Sequence, residues 1–178
     1  METVERADAR ARFEEIARDL VEPLRRFLAR RTDAATADDV LGETLLVCWR
    51  RYAELPEPPL PFAYGVARLC LANAERSARR QRRLAGRIAT LDPPREAPEP
   101  LGDHHLADAM AQLPPAEAEL LRLWAWEQLT VAEIATVLDI TPNAASIRLH
   151  RAKAKLRAGL RQVEGTAGHD EAKGGGRP

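Results

Sequence analysis

The sequence predicts an all-α protein of two small helical domains joined by a flexible linker. Three observations predict it. Alanine, leucine and arginine dominate while aromatic residues are only 4% of the chain, a balance that favours helices over strands. Apolar residues recur at helical spacing through most of the 178 residues. One stretch, residues 91–103 (LDPPREAPEPLGD), holds four prolines and four acids, so it stays extended and does not pack. It separates a domain over 1–90 from a second over 104–162, with a glycine-rich tail, 163–178, expected to be disordered.

Taken in order, residues 3–31 read as helix, with a break expected at Pro23, which suits the first turn of a new helix. Thr36 or Asp38 is the expected cap of a helix running to about Tyr52, on which Val40, Leu41, Leu45, Val47, Cys48 and Trp49 follow helical spacing. Leu55 to Pro61 holds four prolines and reads as a loop. A third helix is expected from about Phe62 to Ile88, apolar in its first half and basic from Arg76 to Arg87. Beyond the linker, helices are expected at about 104–112, 115–126, 130–138 and 143–162. No repeat of fixed period is present.

Hydrophobic residues make up 45% of the chain, enough for a core, yet no apolar run approaches the roughly 20 residues of a membrane span. The charged start, Met1 to Arg12, lacks the apolar centre of a signal peptide. Cys48 and Cys70 lie inside apolar helical patterns and read as buried thiols, not a disulfide framework. A soluble, cytoplasmic protein is expected. The formal net charge is zero, but it is unevenly spread: −3 over residues 1–60, +6 over 61–90, −8 over 91–139, +5 over 140–164 and zero over 165–178. Two basic blocks on helix ends, separated by acidic sequence, suit a polyanion contacted at two points.

The most specific pattern lies at 130–158, TVAEIATVLDITPNAASIRLHRAKAKLRA. Thr130 followed by Glu133 is a capping box. Val131, Ile134, Ala135 and Leu138 give one apolar face, and the small Ala135 lets a second helix approach. Asp139 to Pro142 reads as a tight turn. The next helix has Ala145, Leu149, Ala152, Leu156 and Leu160 for its buried face, and Ala144, Arg148, Arg151 and Lys155 on the opposite one. This is the order of a helix-turn-helix whose second helix lies in a major groove, its first turn at base edges and its later cations on phosphate.

Here a resemblance becomes specific. Leu113-Pro114, Glu133-Ile134-Ala135, Leu149-His150-Arg151-Ala152 and Leu156-Arg157 resemble region 4, the promoter-binding domain of sigma factors. A glycine is usual in that family where Asp139 stands. Residues 12–88 are similar to sigma region 2 in three pieces: 13–31, 37–52 and 61–83. The missing long segment between the domains points to the extracytoplasmic-function group of the sigma-70 family.

The resemblance implies core RNA polymerase and promoter DNA as partners, with an anti-sigma factor expected because the tail is too short for a sensor domain. It implies polymerase docking by Asp39, Glu43 and Trp49. It implies contacts to the −10 promoter element by Tyr64, Arg76, Arg79, Arg80 and Arg83, and to the −35 element by Asn143, Ala144, Ile147, Arg148, Arg151 and Lys155. Arg76, Arg80, Arg83 and Arg87 also form one helical stripe by spacing alone, suited to a single strand's backbone. Gly42, Leu69 and Asn73 depart from the residues common in the family.

No catalytic constellation is present, so no enzyme is expected, and no cofactor, metal or small-molecule substrate. His104 and His105 are adjacent and point about 100° apart on a helix, a poor metal pair. His150 reads as a packing residue. Two other functions fit parts of the pattern. A free-standing helix-turn-helix regulator would leave residues 13–88 without a role and needs a dimer helix that is not evident. A sigma-like decoy for an anti-sigma factor would have no use for two basic faces.

Overall fold

The computed structural model describes residues 2–85 and 104–170, with side chains described over 8–83 and 105–161. The linker 91–103, Arg87 and residues 171–178 of the tail lie outside the described residues. Seven α-helices and no strand occur among the described residues: α1 Glu2–Ala29, α2 Ala34–Arg50, α3 Leu60–Ala85, α4 His104–Ala111, α5 Pro115–Ala125, α6 Val131–Leu138 and α7 Pro142–Asp170. A short 3-10 turn, Tyr52–Glu54, follows α2. The chain divides into two compact units.

In the first unit α1, α2 and α3 pack on one another. Leu20, Leu24, Phe27 and Leu28 of α1 are buried at helical spacing against Val40, Leu41 and Cys48 of α2 and Ala67, Cys70 and Leu71 of α3. Pro23 does not break α1, which runs unbroken through it. An interior proline costs about 3 kcal/mol. Here buried leucines stand on both sides of it, on one face, so a break would expose the apolar stripe that folds the unit.

The cap of α2 also differs from expectation. It is Asp33, whose Oδ1 accepts from the Thr36 amide at 3.1 Å, so α2 begins three residues earlier than a Thr36 cap would allow. The Thr36 hydroxyl, expected to cap in its own right, donates to Asp33 Oδ2 at 2.9 Å. Buried Thr44 satisfies its hydroxyl by donating to the Val40 carbonyl at 2.7 Å. Pro61, expected in the loop, lies inside the first turn of α3, where a missing N–H costs nothing. Cys48 and Cys70 are free and buried. Burial, and secondarily Cys70, pushes the Cys48 thiol up to about 11. Burial, and then the Glu43 charge, also pushes the Cys70 thiol up, against a lowering by its contact with the Thr44 side chain.

In the second unit α7 packs on α4 and α5. Ala109, Ala118, Leu120, Leu121, Leu123, Leu129, Ile134, Ala135, Ala145, Leu149 and Ala152 are buried. Small residues set the close approach of α4 and α7: a Cβ added at Gly159 would lie 3.5 Å from the Ala109 Cβ. Where a disordered tail is expected from residue 163, α7 continues to Asp170, through Gly165 and Gly168.

Candidate nucleic-acid interface

Three surfaces hold the residues singled out above. The first is the outer face of α2. Asp39 and Glu43 are exposed one turn apart. Gly42 between them faces open space, with nothing within 4 Å of a Cβ built there. One and two turns on, Leu46 and Trp49 are exposed at 44% and 38%, large values for apolar side chains. Trp49 is held by aromatic contacts, 5.2 Å from the Phe13 ring and 6.3 Å from that of Tyr52. Arg10, Phe13, Glu14 and Trp49 line an open cleft of about 340 Å³. Sequence spacing missed Leu46 and Phe13. The 3–4-residue step from Asp39 through Glu43 to Leu46 and Trp49 was the available signal.

The second surface is the basic end of α3. Arg76, Arg79, Arg80 and Arg83 are all exposed there. Arg76 donates to Asn73 Oδ1, and Arg79 lies 3.2 Å from Glu75. Tyr64 stands apart from them. It is only 3% exposed and its ring lies 5.0 Å from that of Phe27. Tyr64 is among the residues expected at DNA, and its ring lies in the core of the unit. Phe62 is half-buried beneath the Arg51 guanidinium, 5.3 Å away.

The third surface is built by α6, α7 and their turn. The capping box closes at both ends. The Thr130 amide donates to Glu133 Oε2 at 2.8 Å, and the Glu133 amide donates to Thr130 Oγ1 at 3.3 Å. Asp139 takes φ 53°, in the left-handed region, and turns the chain. The cap of α7 is Thr141, whose hydroxyl accepts from the Ala144 amide at 3.2 Å. With Ala145, Leu149 and Ala152 buried, Asn143, Ile147, Arg148 and Arg151 face outward, and Ile147 is 45% exposed. Ala144 is half-buried. His150, expected to pack, is exposed. Lys155 is not free: its Nζ lies 2.6 Å from Glu117 Oε1 on α5. Lys153 lies on the other flank, 3.4 Å above the Trp124 ring, and burial, then Arg157, lowers its ammonium pKa.

Among the described residues no group of three His, Cys, Asp or Glu side chains could hold a metal, and no helix is long and apolar enough to cross a membrane. A capped helix, a left-handed turn and a second helix with an outward basic face define the second unit as a helix-turn-helix, the architecture of major-groove readers.

Comparison with known proteins narrows that class. Residues 104–156 match the family of sigma-70, region 4. The RNA polymerase sigma factor CarQ of Myxococcus xanthus is 36% identical over 146 residues, covering 78% of this chain and 83% of CarQ. The ECF RNA polymerase sigma factor SigL of Mycobacterium tuberculosis is 31% identical over 138 residues, covering 74% of this chain and 78% of SigL. This chain belongs to the ECF RNA polymerase sigma factors of the sigma-70 family. It is a transcription initiation factor and not an enzyme.

The fold agrees. The sigma factor RpoE, solved with the anti-sigma factor NepR from Bartonella quintana, superposes with TM-score 0.60 at 15% identity, covering 84% of this chain and 96% of RpoE. CnrH, solved with the cytosolic domain of CnrY, gives 0.59 at 21% identity, covering 88% of this chain and 94% of CnrH.

Proposed function

We propose that the two units divide promoter recognition. The observation that carries this reading is the outward face of α7, where Asn143, Ile147, Arg148 and Arg151 stand exposed behind a formed helix-turn-helix turn. The first turn of α7, with Asn143, Ala144, Ile147 and Arg148, reads bases of the −35 element, Arg151 meets phosphate, and Lys155 stands one turn further along the same DNA-facing side. Arg148 suits a bidentate contact to guanine, and Ile147 an apolar contact to a thymine methyl.

Arg76, Arg79, Arg80 and Arg83 of α3 grip the opened −10 strand. Exposed guanidiniums along one helix end track a backbone without reading it. Asp39 and Glu43, with Trp49, dock on a basic surface of core RNA polymerase. Leu46 extends that face with an apolar contact. The protein acts in the cytoplasm beside the polymerase and is controlled by a separate anti-sigma factor, a reading supported by RpoE having been solved with one.

Run-off transcription with purified core polymerase tests the reading. D39K/E43K should abolish stable holoenzyme while leaving helicity unchanged, because both side chains are exposed and neither is in the core. Unchanged affinity for core enzyme would remove α2 from the docking surface.

A further inference from the structure

We infer that Glu117 is a built-in competitor for DNA phosphate at Lys155, holding down the affinity of the second unit for duplex DNA. The inference rests on the reading of α7 as the DNA-facing helix. Glu117 stands in the first turn of α5 and Lys155 in the middle of α7, 38 positions away in sequence. Packing of α5 on α7 brings Glu117 Oε1 to 2.6 Å from the Lys155 ammonium. That is a charge-assisted contact, slightly shorter than the usual range of about 2.7–2.9 Å.

The two ends of the pair differ in exposure. The Glu117 side chain is 22% exposed and that of Lys155 53%. The second carboxylate oxygen of Glu117, Oε2, is buried and accepts no hydrogen bond. A carboxylate in that position leans on Lys155 for compensation, while Lys155, one turn beyond Arg151 on α7, keeps half of its side chain exposed. A phosphate arriving along Arg148 and Arg151 must draw Lys155 away from Glu117 and leave a half-buried carboxylate uncompensated, or else forgo Lys155. In either case Lys155 yields little affinity while Glu117 is charged.

Glu117 is thus an affinity-setting residue that touches no base. The benefit is specificity. Phosphate contacts strengthen binding to every sequence alike, so neutralising one leaves a larger share of the binding energy in the base-reading turn.

The test uses the full chain and a short fluorescein-labelled duplex of random sequence, titrated at several salt concentrations by anisotropy. E117Q keeps the shape and the hydrogen-bonding oxygen but removes the charge. It should tighten binding roughly two- to fivefold, the scale of a partly exposed ion pair. It should also steepen the salt dependence by about one released ion, as Lys155 becomes a phosphate ligand. K155A alone should change the slope by much less than one ion. The E117Q/K155A double variant should bind like K155A. Tightening by E117Q that persists in the double variant would mean a diffuse charge effect and overturn the inference, as would no tightening at all. Thermal unfolding of each variant separates loss of the α5–α7 contact from changes in DNA binding. If E117Q unfolds, Glu117→Ser replaces it in the same cycle. R151A distinguishes this inference from the reading beneath it. It should weaken binding in every background. If it does not, α7 is not the DNA-facing helix and both fall; if it does while E117Q is inert, only the competitor role of Glu117 falls.

Discussion

The basic ends of α3 and α7 carry similar charge but hold it in different ways. On α3 the partners come from the same helix and lie near the surface: Asn73 for Arg76, Glu75 for Arg79, and the Ala78 carbonyl for Arg82 at 3.4 Å. On α7 the partners come from α5: Glu117 for Lys155 and the Trp124 ring for Lys153. Exposed pairs within one helix contribute about 0.5 kcal/mol or less and exchange readily for another anion. Contacts between helices also hold the unit together. The arginines of α3 therefore contribute little to the packing of their unit, whereas two of the α7 cations take part in theirs.

The largest effect should come from breaking the α3 side of this contrast. Reversing R76E, R79E, R80E and R83E together should lower affinity for single-stranded −10 DNA roughly a hundredfold or more, since several phosphate contacts are lost and repulsion is added. The unfolding midpoint should change little, because all four side chains are exposed. Comparable losses of stability and affinity would erase the difference between the two helices.

An intermediate effect should come from the helix caps, which each unit has in its own form. Asp33→Ala in the first unit and Thr130→Ala in the second each remove a side-chain acceptor and should each cost about 1 kcal/mol. Denaturant unfolding measures both. Thr130→Ala should additionally weaken duplex binding, because the box sets the entry of α6 ahead of the turn that aims α7. Equal effects on DNA binding from both variants would show that the cap acts only through global stability.

How much of this was legible in the sequence follows from where the partners lie. The Thr130–Glu133 box and the turn at Asp139 are local, with partners within three residues, and spacing alone located them. The cap of α2 was misplaced because acids and threonine crowd residues 33–39, and spacing does not rank them. The break expected at Pro23 failed because a local cost was outweighed by burial contributed by α2 and α3. The depth of Tyr64 and the pairing of Lys155 with Glu117 depend on how helices cross, which no local pattern encodes. The four α3 arginines were legible as exposed because nothing in the first unit draws them inward.

The smallest effect sharpens the comparison within α7 itself. Lys153 and Lys155 are two residues apart and so point about 200° apart around the helix. If Lys155 flanks the DNA face, Lys153 does not. It lies 3.4 Å above the Trp124 ring, and Trp124 is 43% exposed, so the cation and the ring cover one another at the surface. Lys153→Met keeps the aliphatic stem on the ring and removes only the charge. A cation–π contact at such a site contributes about 0.5–1 kcal/mol, so the variant should unfold at slightly lower denaturant with the same cooperativity. Trp124 fluorescence should shift with it, since the ammonium no longer sits over the indole. The salt dependence of duplex binding should stay as it is in the unsubstituted protein, because no phosphate contact is lost. A slope shallower by about one ion would make Lys153 a phosphate ligand. The cations of α7 would then not be divided between packing and DNA, and the contrast with α3 would reduce to the single pair of Lys155 and Glu117.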